Sequence, residues 1–151
     1  LEALQVSLPP PKDPYSIRKL IMSNDRLAAI LTKERLARIF PPDRTNAFFD
    51  ALFGDADEGA YDIELVYRET RGNTMIIDME LHQRPGRCLA CNLTQGLPQV
   101  FTRHPIINVK GIVEEVGKLL GNATKCTSWS LGYTEQHNSA LHTIPIKISI
   151  E

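Results

Sequence analysis

A chain of 151 residues, 42% hydrophobic and 23% charged, has the size and balance of one globular domain. It holds no apolar run of the roughly eighteen residues a membrane span needs, no Gly-X-Y period and no block of like charge, which excludes spanning helices, collagen-like chains and nucleic-acid-binding tails. Seventeen basic against eighteen acidic side chains give a formal net charge of -1 and no general attraction to polyanions. The expectation is a soluble, cytoplasmic protein that engages neither nucleic acid nor membrane.

The chain opens on Leu1 rather than Met, which points to a processed chain or a piece of a longer one. Residues 1–15 carry Pro9, Pro10, Pro11 and Pro14 and read as a stiffened arm, without the basic and long apolar regions of a signal peptide. A single domain is expected over residues 16–151.

Ile17, Leu20, Ile21, Leu27, Ala28 and Leu31 recur at helical spacing. Ser23-Asn24-Asp25 are good N-cap types, so a short helix over 16–22 and a longer one over 24–40 compete with one continuous helix. Pro41-Pro42 must end it, since proline lacks the N–H donor and displaces the residue before it from helical geometry. A second helix is expected from Asp43 as N-cap to Gly54, with Ala47, Phe48, Ala51 and Leu52 buried.

At residue 60 the apolar period changes to two. Tyr61, Ile63, Leu65 and Tyr67 alternate with polar neighbours, Arg71-Gly72-Asn73 makes a turn, and Met75, Ile77, Met79 and Leu81 continue the alternation, which is a hairpin. A third strand is expected over 87–94 after the turn at Arg84–Arg87, and Gly96-Leu97-Pro98 reads as a breaker before a loop or short edge strand over 99–107. Residues 108–120 form the cleanest helix, with Val109, Ile112, Val113, Val116, Leu119 and Leu120 on one stripe, Asn108 as N-cap and Gly121 at the C-terminus. Gly111 and Gly117 inside it suggest close approach to a sheet. Thr127, Trp129, Leu131 and Tyr133 share one face of a strand over 124–133, a turn falls at Gln136–Ser139, and Leu141 to Ile150 closes the chain in strict alternation. The architecture expected is α+β: N-terminal helices, a three-stranded antiparallel meander, one amphipathic helix and a C-terminal β-hairpin, with the helices on one face of the sheet.

Several motifs invite chemistry. Cys88-Leu89-Ala90-Cys91 has CxxC spacing, but the surrounding pattern supplies neither a following helix nor a βαβ unit, and a regular strand would point the two sulfurs to opposite faces. Cysteines packed in a strand as small hydrophobes are the first reading. The alternative is a small metal- or thiol-dependent protein in which Cys88 and Cys91 recruit Cys126 or His104 for zinc. Three cysteines are too few and odd in number for a disulfide framework, so a reducing compartment is expected.

Asp55-Ala56-Asp57-Glu58-Gly59 resembles the start of a calcium loop, but the glycine and closing glutamate positions hold Ala60 and Val66. Arg103-His104-Pro105 precedes a helix without a glycine-rich loop, so a local hydrogen bond for His104 is the expectation. Asp78 and Glu80 share a strand face, as solvent-facing carboxylates do, and a pairing of Ser128 or Ser130 with His137 finds no support in any nucleophile motif.

With no catalytic constellation, an enzyme is not the first reading. Ile76, Trp129 and Tyr133 are apolar positions left over once a one-faced core is drawn, and they point to a protein partner or a homodimer contact. The reading is a non-enzymatic binding or regulatory module acting through protein–protein contacts. A pocket between helix 108–120 and the sheet, serving a small ligand or a substrate, is the third possibility.

Overall fold

A computed structural model of the chain describes residues 24–89 and 94–151. The arm over 1–15, the expected helix over 16–22 and the second CxxC cysteine, Cys91, lie outside the described residues. Helical residues 24–30 lead into α1 (Lys33–Ile39) and α2 (Pro42–Phe53). The continuous helix expected to residue 40 is broken at 31–32, where the Thr32 side chain accepts a hydrogen bond from Arg35 N–H and starts a new helix. This is the competition that threonine offers a helix interior.

Pro41 occupies the N-cap position of α2 and Pro42 enters its first turn, so Asp43, expected as the cap, lies inside the helix. Gly54 ends α2 at φ +81, as foreseen. The buried face differs from the expected one. Thr45, Phe48 and Phe49 are inside, whereas Ala47, Ala51 and Leu52 are exposed.

The hairpin follows the period-two pattern. β1 (Tyr61–Arg71) pairs antiparallel with β2 (Thr74–Gln83) across Gly72-Asn73, Gly72 taking φ +55 as a tight turn requires. The third strand expected over 87–94 is not formed at residues 87–89. Thr94–Gly96 is instead a 3-10 turn running into α3 (Leu97–Arg103), where a loop or edge strand was expected. Pro98 sits in the first turn of α3, where a missing N–H breaks nothing, so Gly96-Leu97-Pro98 starts a helix rather than stopping a strand.

α4 (Val109–Leu120) matches its sequence reading closely, with Val109, Ile112, Val113, Val116 and Leu120 buried and only Leu119 of the expected stripe exposed. Its two glycines have different causes. A Cβ at Gly111 would meet the Asn108 amide at 2.3 Å, and Asn108 Oδ1 caps the helix by accepting from Gly111 N–H. Close approach to the sheet applies only to Gly117, where a Cβ would stand 3.9 Å from Cys126 Sγ. Gly117→Ala should therefore stabilise the fold by about 0.5–1 kcal/mol through helix propensity. Gly111→Ala should show no gain, since displacing the cap costs about 1 kcal/mol. Urea unfolding of the two variants side by side checks this, and equal gains would contradict the capping account.

β3 (Cys126–Leu131), β4 (Glu135–Asn138) and β5 (Leu141–Ile150) complete an antiparallel five-stranded sheet ordered β1-β2-β5-β3, with β4 also on β5. β3 and β4 are successive stretches of one hairpin arm along β5. They are separated where Pro145 of β5 carries no N–H to offer and Gly132 leaves room for its ring, since a Cβ there would meet Pro145 Cγ at 2.7 Å. Gln136–Asn138, expected in the turn, is strand; the turn is Ser139-Ala140, closed by Ala140 N–H donating to Asn138 Oδ1.

One face of the sheet, with Ile63, Leu65, Met75, Ile77, Met79, Leu81, Ile144, Ile146 and Ile148, shares a single core with the helices. An aromatic group roofs one end: Phe48 meets Phe49, Phe101 and His104 edge-on at ring separations of 5.2, 5.5 and 4.8 Å. The fold is α+β with its described helices gathered on one side of an antiparallel sheet. Asn24 ties the first helical residues to the sheet by accepting from Thr70 N–H at 2.7 Å and donating to Thr70 C=O at 3.1 Å, which also blunts the β1 edge.

Candidate functional site

The alternation that buries one sheet face delivers Asp62, Glu64, Val66, Ile76, Asp78, Glu80 and His82 to the other, and β5 adds Thr143, Pro145 and Lys147. Register then sets polar groups in rows. Glu64 lies opposite Glu80, Glu80 opposite Thr143, and Thr143 opposite Glu135 of β4. Like charges directly opposed on neighbouring strands destabilise a sheet unless a cation or donor lies between them. His82 fills that role: its Nε2 is 2.9 Å from Glu80 Oε1 and 3.4 Å from Glu64 Oε1.

The neighbouring rung is arranged differently. The ladder shifts between Tyr67 and Glu69, leaving Arg68 at a bulge from which its guanidinium lies across the face. It donates from Nε to Asp78 Oδ2 at 2.8 Å and from Nη2 to Glu135 Oε1 at 2.9 Å. Asp78 is largely buried and its Oδ1 has no hydrogen-bond partner. Burial pushes its carboxyl above the ordinary value, opposed by the hydrogen bond and charge of Arg68. His137 Nε2 bonds Thr143 Oγ1 at 2.9 Å and stands 3.8 Å from Glu135. His137 is thus engaged with a threonine, not with Ser128 or Ser130.

Carboxylates outnumber cations here. Among the described residues Asp62 is met by Arg84, Glu69 by Arg71, and Arg68 serves both Asp78 and Glu135, whereas Glu64 and Glu80 share His82. Among the described residues, Glu64, Glu80 and His82 are the group whose ligand atoms fall together closely enough for a metal ion, within 4.8 Å of one another. That is a mixed oxygen and nitrogen donor set on two paired strands, half-buried.

The residues singled out by sequence are dispersed. Cys88, expected as a small packed thiol in a strand, is exposed, outside any strand and disulfide-bonded, while Cys126 is a free thiol that burial pushes above its ordinary pKa. A sulfur in a disulfide is not a thiolate ligand, so zinc at Cys88 would require the reduced chain. Cys88, Cys126 and His104 do not come together as a metal-sized group. His104 makes the local contact expected, its Nδ1 accepting from Ile106 N–H at 3.2 Å. Trp129 packs partly against the core, Ile76 lies on the open face, and Tyr133 stands 90% exposed beyond β3, so the three form no single patch. The Asp55–Gly59 segment is a 3-10 turn capped by Asp55, its Ala56 and Gly59 carbonyls taken by Arg84 and that of Asp57 by Arg87.

The expected pocket at helix 108–120 takes the form of a surface groove of about 610 Å³ along α4, reaching Thr124 and Cys126; between helix and sheet the space is filled by Ile112, Val116, Ile144 and Ile146, all fully buried. Deeper, His142 Nδ1 pairs with Thr94 Oγ1 at 2.7 Å, and Thr134 Oγ1 donates to Thr94 C=O at 2.6 Å. Burial lowers the His142 pKa, helped by the nearby charge of His137.

That shift fixes a pH dependence. A histidine held neutral in the fold binds its proton more readily in the unfolded chain, so stability falls as pH drops below about 6.5, by at most about 1.4 kcal/mol per pH unit. The loss ends below the lowered folded-state pKa. Asp78, shifted upward, acts with the opposite sign and at lower pH. Urea unfolding at several pH values should show a flatter profile for His142→Gln than for the unaltered chain, and identical profiles would refute the assignment.

Comparison with family models, with curated proteins and with solved structures yields no match to this chain. The site stands on its own geometry.

Proposed function

We propose that this chain is a non-enzymatic binding module that acts through protein–protein contacts, with the half-exposed Glu64, Glu80 and His82 corner of the sheet face as its working surface and a basic protein surface as its partner. The observation that carries this reading is Glu64 facing Glu80 across two strands on a face that none of the described helices covers, with His82 as their counter-group among the described residues. A lysine or arginine from a partner would relieve that opposition and take the place of a weak internal contact. Self-association through this face would instead set the same carboxylates against their copies, so a different, basic protein fits better than a homodimer.

The test uses a decalysine peptide titrated against the full chain at low salt. Saturable binding is expected, weakened about tenfold by Glu64→Gln with Glu80→Gln, and little affected by the charge-matched Asp50→Asn with Glu58→Gln. Equal weakening by both pairs would mean a general charge effect and defeat the reading. Zinc that binds with loss in the Glu64/Glu80 variant, in a chain indifferent to decalysine, would make the face a metal site instead.

A second reading rests on Cys88. Thiol–disulfide chemistry is set aside in the sequence on a strand through the CxxC, no following helix and no βαβ unit; residues 88–89 are not strand and helical structure begins at Thr94, while the described sheet is antiparallel and supplies no βαβ unit. An exposed disulfide near a helix start can be opened by a dithiol reductant, which gives up two electrons and two protons and becomes the disulfide itself. A midpoint above about -300 mV would support a redox role, and a lower one a structural bond.

A further inference from the structure

Away from the sheet face, α1, the first turn of α2 and the length of α4 line a groove of about 570 Å³, in the size range of small-ligand sites. Its charge is opposite to that of the sheet face. Arg35, Arg38, Arg44 and Lys118 line it against two carboxylates, Glu114 and Glu115, and Lys118 is committed to Glu115 at 2.9 Å. In a chain of net charge -1 this is a local positive concavity.

Two of the three guanidiniums are held from behind. Arg35 Nη1 donates to Ile30 C=O at 3.0 Å, and the Arg44 guanidinium rests 4.9 Å above the Phe40 ring. Each keeps most of its five N–H donors for another partner, and anchoring reduces the rotamer freedom lost when a ligand is gripped. Ile39 and Leu119 add apolar wall beside the charged one. We infer that this groove binds a phosphate monoester carrying an apolar body, the phosphate taken by Arg35, Arg38 and Arg44 and the body laid against Ile39 and Leu119. Guanidinium forks match phosphate oxygens in pairs, which a lysine cluster would not do.

Phenyl phosphate is the probe, titrated by calorimetry into the full chain, with inorganic phosphate and benzyl alcohol in parallel. Expected is saturable binding of phenyl phosphate with a Kd of about 1 mM or tighter, stronger than either fragment. Arg38→Gln with Arg44→Gln should weaken it about tenfold or more, and Arg38→Gln alone, which leaves the Arg44–Phe40 contact in place, should weaken it at an unchanged melting temperature. Arg38→Lys, which keeps the charge and loses the fork, should weaken it less than Arg38→Gln but measurably. Absence of saturation, equal affinity for inorganic phosphate, or binding unmoved in the arginine variants would overturn the assignment.

Discussion

Arg84→Ala is expected to destabilise the fold by about 3 kcal/mol, read as a lower urea midpoint at unchanged slope. Arg84 sits at the exit of β2 with its side chain mostly buried, and its hydrogen bonds go to four places: Nε and Nη2 to Asp62, Nη2 to Asn46, Nη1 to the carbonyls of Ala56 and Gly59. Its guanidinium also lies 5.3 Å over the Phe49 ring. One side chain thus joins α2, the Ala56–Glu58 turn, β1 and the end of β2. Truncation strands two partly buried carbonyls, Ala56 and Gly59, and leaving such a group unpaired costs more than the bond itself contributes. Arg84→Lys should recover less than half of the loss, since one ammonium cannot reach Asp62, Asn46 and two carbonyls at once. Full recovery by lysine would mean that charge alone matters there. Surface ion pairs such as Lys118–Glu115 make no comparable contribution, because both partners remain in water.

The legibility of this fold follows from the kind of signal each element carries. α4 and the β1–β2 hairpin were readable because their apolar residues keep one period over ten or more positions, and a packed core enforces that period. The break after residue 30, the start of α3 and the strand character of Gln136–Asn138 were not, because each hangs on a single local interaction: a threonine cap, a proline in a first turn, an Asx turn one residue later. The stretch after Arg84 misled for a related reason. Leu89 is buried and Cys88 exposed, which imitates strand alternation over a span too short to test it.

The candidate sites were less visible still. Asp78 and Glu80 could be placed on one face from strand parity, but the opposition of Glu64 and Glu80 needs the register between strands, and Arg68 reaches Glu135 only because a bulge turns it across the sheet. The groove between α1 and α4 joins residues about seventy positions apart, with no local signature in either segment. Arg84 itself reads as one of several arginines near turns. Its packing over Phe49 and its hydrogen bonds to Asp62, Asn46, Ala56 and Gly59 distinguish it from Arg87, whose guanidinium donates to Asp57 C=O.

Gly59→Ala is the second large effect, at about 3 kcal/mol of destabilisation, near the upper end for overpacking a core. Gly59 has φ -69, so its backbone makes no demand that alanine cannot meet. The constraint is space. A Cβ built there falls 2.2 Å from Phe49 Cδ2 and 2.5 Å from Cγ, inside the ring's own contact distance. Phe49 has nowhere to go: it is 2% exposed, stacked on Phe53 at 5.9 Å, edge-on to Tyr61 at 4.8 Å and roofed by Arg84. The added methyl must therefore push the 56–58 turn outward, which pulls the Ala56 and Gly59 carbonyls from Arg84. Gly59→Ala and Arg84→Ala should accordingly be non-additive, the double variant losing clearly less than the two single losses combined. Phe49→Leu in the Gly59→Ala background should return part of the stability by vacating the ring edge. Strict additivity of Gly59 and Arg84, with no relief from Phe49→Leu, would show that the turn and the ring are held independently.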